Sequence, residues 1–264
     1  MTIHQEAKPR LSIGILTKNE ARLIEGCVKS ALFADEVIVL DSGSTDATIE
    51  IAERLGAKTF VSDNWEGFAV QRNRLLSKMT GDYVFFLDAD EIITPELRRE
   101  IEDIVASGEA AVWKVMWTVV AYGHTLRHFR SKTSMERLFQ RRSIVRYEGV
   151  VHEQAVLTDP SLLRHTLKYR LLHHSRQSVR ASLEKLTQYA MLGAAKRHAK
   201  GKRGGIGRGI ASATASFIRT YFIQRGFLDR GAGFLYCLFI ALECFFRYAA
   251  LEFDRNELTG KVSR

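Results

Sequence analysis

At 264 residues, 46% of them hydrophobic and only three of them proline, the chain can bury a full core as one large domain or as one domain with an appendage, which excludes a disordered protein. Its three cysteines, Cys27, Cys237 and Cys244, are odd in number and set among apolar residues; they suit a reducing compartment and exclude a disulfide framework or a cysteine zinc site. The net charge of +9 is local, because nine Lys or Arg and no Asp or Glu lie between Lys185 and Leu228, and the remainder is formally neutral.

The N-terminal stretch MTIHQEAKPRLSIG has no apolar signal-peptide core, so the cytosolic side is the default expectation. LSIGIL (11–16) is a β-branched strand running into the polar residues Thr17, Lys18, Asn19 and Glu20, and ARLIEGCVKSALF has helical spacing. EVIVLD (36–41) is a second strand ending at Asp41. In SGSTDATIEIAERLGA, Gly43 permits a tight turn, Ser44 or Thr45 can cap a helix, and Gly56 closes it. KTFVS (58–62) reads as a third strand, GFAVQRNRLLSKMT as a helix closed near Gly81, and DYVFFLD as a fourth strand. Strands alternating with helices predict βαβ units and a mostly parallel sheet flanked by helices, an α/β class.

Ligands of such sheets sit beyond the carboxyl ends of the strands, where this sequence places Thr17, Asn19, Glu20, Asp41, Asp88 and Asp90. No G-x-G-x-x-G follows the first strand and no G-x-x-x-x-G-K-[ST] occurs, so a diphosphate in this acidic cleft would need a metal and basic side chains. VFFLDADEII (84–93) is the sharpest signal: a buried strand running into Asp88, Asp90 and Glu91. Desolvated carboxylates need a metal or hydrogen-bond donors, and the Asp-x-Asp spacing offers hard oxygens to Mg²⁺ or Mn²⁺. The plainer alternative makes Asp90 and Glu91 caps of the helix ITPELRREIEDIVAS, but Thr94 and Pro95 already supply that start.

EAAVWKVMWTVVAYG (109–123) reads as a long strand with aromatics, and SMERLFQRRSIVRYEGVVHEQAVL as strand, turn and strand around Gly149. In VVHE, Glu153 is the candidate general base, with His152 as a second candidate or as its orienting partner; the alternative for Glu153 is a salt bridge to a nearby arginine. LLHHS (171–175) ends an apolar run in two histidines that alternation sends to opposite faces, so one of them at most is a ligand.

Taken in order, SIGILTKNE, VIVLDSGSTDAT, QRNRLL, VFFLDADE, RLFQRR and YEGVVHE resemble a family 2 glycosyltransferase with the GT-A fold. Within it the chain is most similar to the lipopolysaccharide inner-core β-1,4-glucosyltransferase branch, the WaaE and LgtF type, and the late YFIQRGFLDRGAGF extends the resemblance almost to the end. The resemblance implies a Rossmann-like nucleotide-sugar half (10–108) and an acceptor half (109–178) within residues 1–178, followed by a helical region (179–264). It implies an inverting transfer from a nucleotide-diphosphate sugar, UDP-glucose, to a lipid-linked saccharide such as an inner-core heptose, with a divalent cation bridging the phosphates. In those roles Asp41 and Thr17, Asn19 and Glu20 would hold the uridine, Asp88 the ribose or metal, and Asp90 the metal. Arg72 and Asn73 resemble the pair beside the nucleotide, Arg137 a position near donor or acceptor, and His174 the late metal or diphosphate ligand. Asp41 also reads as a turn residue in LDSGSTD. Asp46 reads as a first-turn helix acid outside the site.

Beyond His174 the character changes. SVRASLEKLTQYAMLGAAKRHAKGKRGGIGRG is an amphipathic helix running into a basic, glycine-rich stretch expected to be a mobile connector. Two apolar, aromatic-rich segments follow. The second has nine uninterrupted apolar residues, Phe234 to Leu242, fewer than the roughly 20 of a spanning helix. The expectation is a helix in the membrane interface, with residues 185–253 against an anionic surface and Arg219, Arg225 and Arg230 near phosphates. This predicts a peripheral protein on the inner face of the cytoplasmic membrane. The alternative is two ordinary core helices with a solvated basic loop. Nucleic acid is not expected, since no recognised binding motif occurs. Where related chains tend to read GFLDG, this one has Arg230 in place of the glycine, so the local turn is expected to differ. A non-catalytic membrane protein keeping the nucleotide-binding fold is the main rival, and the intact set Asp41, Asp88, Asp90 and Glu153 speaks against it; a nucleotidyltransferase would want a glycine-rich basic loop where TKNEAR stands.

Overall fold

The computed structural model describes residues 9–131, 133–149, 153–255 and 258. They fall into two compact units, one of Met1–Trp117 with Lys132–His173 and one of Thr118–Ser131 with His174–Arg264.

The first unit begins with the predicted alternation: β1 (Leu11–Thr17), α1 (Ile24–Ala31), β2 (Glu36–Asp41), α2 (Thr48–Arg54), β3 (Lys58–Val61), α3 (Phe68–Leu76) and β4 (Tyr83–Asp88). A two-residue β5 (Glu91–Ile92) and α4 (Pro95–Ser107) follow. Thr94 caps α4 by accepting from the Leu97 amide, Pro95 occupies the first position and Gly108 closes the helix at φ 69°, as the sequence predicts. The later strands are β6 (Val112–Ala121), β7 (His124–Thr125), β8 (Ser134–Gln140), β9 (Ile144–Glu148), β10 (Gln154–Leu157) and β11 (Arg164–Arg176).

The main sheet runs β3-β2-β1-β4-β8-β6-β11-β5, with β7 on β6, and β9 pairs with β10 apart from it. Pairing is parallel from β3 to β4 and antiparallel between β4 and β8, β8 and β6, and β11 and β5. The parallel sheet foreseen is thus the first half of a mixed one. The single strand-turn-strand expected over 134–157 is three strands, since Arg141–Ser143 forms one 3-10 turn between β8 and β9.

Alternation along the central strands feeds two cores. Ile13, Ile15, Phe85 and Leu87 pack with α1, α2 and α4, whereas Ile38, Leu40, Val84 and Phe86 pack with α3 and the β9–β10 pair. Burial on both faces accounts for near-continuous apolar strands. Gly14 lets α3 approach β1, because a Cβ there would lie 2.9 Å from Leu75 Cγ. At the edge away from the candidate site, Glu36 accepts from Ser12 Oγ at 2.6 Å, Thr80 N at 3.0 Å and Lys58 Nζ at 3.0 Å. Burial alone would raise this carboxyl, but those hydrogen bonds bring it down to about 2.

The second unit holds α5 (Val179–His198), α6 (Ile206–Phe217) and α7 (Arg230–Phe253). The glycine-rich stretch expected to be a mobile connector is docked: the Gly205 amide donates to the Tyr248 carbonyl at 3.1 Å, and a Cβ on Gly204 would fall 2.5 Å from the Glu252 nitrogen. Counting uninterrupted apolar residues understated the last helix, since Gly226–Phe253, with a mean hydropathy of 1.7, is long and apolar enough by length and composition to cross a membrane. Arg230 stands at φ 54° and ψ −141°, a left-handed backbone that glycine adopts more readily.

Candidate active site

Thr17, Asp41 and Asp88 end β1, β2 and β4 at one edge of the sheet, with Thr17 opposite Asp41 and Leu16 opposite Asp88. Asp41 is buried and turned into its own loop, accepting from the Gly43 amide at 2.8 Å, the Ser44 amide at 2.7 Å and the Ser44 hydroxyl. This is the turn role that LDSGSTD allows. Asn19, at φ 54°, donates its amide to Ser44 Oγ at 2.7 Å and accepts from the Thr45 amide at 2.8 Å. The Glu20 amide donates to Thr48 Oγ1 at 2.9 Å. The first two strand-end loops are thereby stitched into one wall. Ser44 and Thr45, expected as helix caps, are used in that stitch, and α2 starts later, where Asp46 accepts from the Thr48 amide at 3.1 Å. Thr17 Oγ1 is buried and lacks a hydrogen-bond partner among the described residues.

The charged centre lies beside Asp88. Arg72 on α3 places Nη2 3.2 Å from Asp88 Oδ1 and Nε 2.9 Å from Glu153 Oε1. Arg137 on β8 places Nη2 2.7 Å from Asp88 Oδ2 and 2.8 Å from Glu91 Oε1. Glu91 also accepts from Trp117 Nε1 at 2.6 Å and from the Asp88 amide at 2.9 Å. Arg72, Arg137 and Glu91 are 3%, 1% and 1% exposed, whereas the Asp88 side chain is 34% exposed. Two guanidinium groups withdrawn from water thus converge on one carboxylate that still faces it.

Desolvation opposes the charge on Asp88, but Arg137 and then Arg72 overcome it and hold the carboxyl well below its ordinary range. Burial pushes Glu91 up, against the pull of Arg137 and with Asp88 adding to the rise. Burial likewise disfavours the charge on Arg137, yet Asp88 and Glu91 raise its affinity for the proton.

Asp90 pairs with His173, Nε2 to Oδ2 3.3 Å, and the His173 ring lies 5.8 Å from that of Trp117. Burial would lower His173, but the Asp90 carboxylate, as hydrogen-bond partner and as charge, raises it. β11 sets His173 opposite Glu91 and sends His174, the histidine favoured from the sequence, to the other face of the strand. Asn73, grouped with the donor-binding residues, is engaged at both amide atoms by the Tyr147 main chain, at 2.9 and 2.7 Å, and there fastens β9 to α3. His152 lies outside the described residues.

Sequence reasoning passed over Trp117, and it counted Glu91 in the acid cluster without giving it a role. The only signal for Glu91 was its burial-prone position next to Asp90, and nothing local marks the tryptophan in a strand of aromatics.

Among the described residues no three His, Cys, Asp or Glu side chains are grouped to hold a metal by themselves. Asp90 and His173 nevertheless offer a carboxylate oxygen and an imidazole nitrogen side by side. A magnesium-type ion carried by a diphosphate uses one or two protein ligands and takes the rest from phosphate and water, so this donor set fits such an ion.

The chain matches the model of glycosyl transferase family 2 over residues 12–155. It is 31% identical over 255 residues to an uncharacterized glycosyltransferase of Rickettsia bellii (strain RML369-C), covering 92% of this chain and 86% of that one. It is 26% identical over 255 residues to the lipopolysaccharide core biosynthesis glycosyltransferase LpsC of Rhizobium meliloti (strain 1021), covering 90% and 93%. Among solved structures, glucosyl-3-phosphoglycerate synthase from Mycobacterium tuberculosis, in complex with Mn²⁺, uridine-diphosphate and phosphoglyceric acid, aligns with a TM-score of 0.47 at 19% identity, over 69% of this chain and 75% of that one. With a family match reaching across the strand-end acids from Asp41 to Glu153 and a relative matched along nearly its whole length, the chain belongs to glycosyl transferase family 2 and is a glycosyltransferase.

Proposed function

We propose that the protein is an inverting hexosyltransferase that moves glucose from UDP-glucose to a lipid-linked saccharide such as a lipopolysaccharide inner-core heptose, working at the inner face of the cytoplasmic membrane. The observation that carries this reading is the half-open Asp88 carboxylate clamped between buried Arg72 and Arg137, next to the Asp90–His173 pair. The likeness to LpsC supports the acceptor class, and the unopposed cations of residues 185–228 support an anionic membrane surface.

In this reading the stitched loops carrying Thr17, Asn19, Glu20 and Asp41 form the uridine wall. Asp88, kept ionised and oriented by its two arginines, receives the ribose hydroxyls or the metal. Asp90 and His173 would hold Mg²⁺ or Mn²⁺, which supplies charge neutralisation of the departing diphosphate when bound. Glu153, fixed by Arg72, accepts the proton of the acceptor hydroxyl as that oxygen bonds the anomeric carbon from the face opposite the leaving group. Carbon–oxygen cleavage releases the nucleoside diphosphate and inverts the centre.

The test is nucleoside diphosphate release from a panel of UDP-, GDP- and dTDP-sugars with Mn²⁺ or Mg²⁺, then with EDTA. Selective, EDTA-sensitive release from UDP-glucose is the expected result. Selective release from another donor refutes the glucose assignment, and release that persists in EDTA refutes the metal.

A further inference from the structure

In the second unit the chain leaves α6 through a π-helical turn, Ile218–Ile223, and reaches α7 through a 3-10 turn, Gly226–Asp229. This corner gathers aromatic rings around Tyr221, whose centroid lies 5.1 Å from that of Phe222, 6.2 Å from Phe227 and 5.7 Å from Phe234. Core packing would turn such side chains inward. Here Phe222 is 56% and Ile223 72% exposed, with Ile218, Phe227 and Leu228 exposed beside them. A contiguous apolar patch of this kind marks a binding face.

The charge around the patch selects the partner. Arg219, Arg225 and Arg230 are all exposed. Asp229, the only acid between Lys185 and Leu242, is turned away to accept from the His128 and Phe129 amides at 3.2 and 2.8 Å. Arg225 and Arg230 hold φ at 62° and 54°, positions that glycine would occupy with less strain, and strain of this kind persists where surrounding structure and use require it. Apolar tips ringed by unopposed cations complement a surface with anionic headgroups over hydrocarbon.

The centre of α7 is fixed elsewhere. Glu243 accepts from Arg176 of β11, and the Arg176 carbonyl accepts from the Tyr122 amide at 2.7 Å. If α7 crossed a bilayer in this arrangement, strand and loop backbone would be carried to hydrocarbon depth, where open sheet edges are not tolerated.

We propose that the corner from Ile218 to Leu228 is a membrane-insertion wedge. Ile218, Phe222, Ile223, Phe227 and Leu228 enter the interface of an anionic phospholipid bilayer, Arg219, Arg225 and Arg230 engage its phosphates, and α7 stays outside the hydrocarbon core. The wedge rests on the membrane reading above and narrows it from residues 185–253 to this turn.

The experiment is flotation of the full chain with vesicles of phosphatidylethanolamine and phosphatidylglycerol, and with vesicles of phosphatidylcholine alone. Expected are preference for the anionic vesicles, release by high salt, and at least tenfold weaker binding by the Phe222→Ser/Ile223→Ser variant. A Val179→Ser/Leu183→Ser variant, altered at exposed apolar residues of α5, should bind as the parent does, and circular dichroism should report the same helix content for all three. Equal binding by the Phe222→Ser/Ile223→Ser variant overturns the wedge and leaves the membrane reading standing. No binding by the parent to anionic vesicles overturns both. Retention through high salt and alkaline washing overturns the placement of α7, and a lipid-free dimer abolished by the same double substitution reassigns the patch to a second copy of the chain.

Discussion

Arg72 stands between two acids, and removing it should cost more than removing either partner's charge. Arg72→Met leaves Glu153, 8% exposed at its side chain and 2.9 Å from Arg72 Nε, without that guanidinium, and takes one of two arginines from Asp88. Breaking a buried pair from one side typically costs about 3–5 kcal/mol, because a charge stays behind unpaired. Glu153→Gln is milder, since Arg72 still faces Asp88 at 3.2 Å; about 1.5–3 kcal/mol is expected, the scale of one charge-assisted hydrogen bond. In the double variant no charge is stranded at position 153, so its loss should fall short of the sum of the two single losses by roughly 1–2 kcal/mol. Urea unfolding of the four proteins measures that coupling. Strict additivity, or a Glu153→Gln penalty as large as that of Arg72→Met, would refute the view that Arg72 is the charge partner Glu153 depends on. Turnover supplies the other half of the answer. As the base, Glu153→Gln should lose roughly 10²- to 10⁴-fold in transfer while still binding the donor; near-normal turnover would leave Glu153 as a fixed ionic partner only.

Asp90→Asn should abolish metal-dependent transfer while keeping a cooperative unfolding transition, weakened by no more than about 1–3 kcal/mol, the scale of the hydrogen bond to His173 that it alters; metal-titrated activity and urea unfolding check both halves. Glu36, held at about 2 against an ordinary 4.5, contributes stability that is fully present above pH 4.5 and is lost as pH falls through 2. The gap between parent and Glu36→Gln should therefore be roughly 3 kcal/mol near neutrality and close in that acidic window, and a gap that widens on acidification would contradict the assignment. Arg230→Gly should relieve the positive φ and stabilise by about 1 kcal/mol, some 2–4 °C in Tm, whereas Arg230→Ala should not; both should bind anionic vesicles less well than the parent.

The first half of the fold was legible because its signals are local. Apolar runs that end in Thr17, Asp41 and Asp88 name both the strands and the edge at which they stop, and Thr94, Pro95 and Gly108 punctuate α4 without help from distant residues. The candidate site was legible to the same depth. Asp88 and Asp90 declare themselves as acids after a buried strand, whereas Arg137 and Trp117 join them only because β8 pairs with β4 and β6 with β8. The choice between His173 and His174 turned on one register, His173 opposite Glu91, which alternation alone leaves open by one residue. Asn73 shows the converse limit: its two hydrogen bonds go to Tyr147, 74 residues away, and no local pattern foretells them.

The C-terminal helices extend that contrast to the membrane. Read along the chain, Glu243 interrupts an apolar run and shortens any candidate span; in the fold it is the group by which Arg176 anchors the middle of α7. An ionisable residue at such a position costs several kcal/mol unless it is paired, so its partner decides what the helix can do. Hydropathy alone permits α7 to cross a bilayer, but the Arg176 pair ties its centre to strand backbone that cannot follow it into hydrocarbon. On the proposed membrane reading, the exposed corner before α7, with Phe222 and Ile223 at its tip, is then the part that meets the bilayer. Replacing Glu243 and Arg176 together by Leu and Met tests this directly: the parent should be released from anionic vesicles by alkaline washing, whereas the doubly substituted chain should be held more firmly if the ion pair is what keeps α7 out. Firm retention of the parent itself would refute the tether.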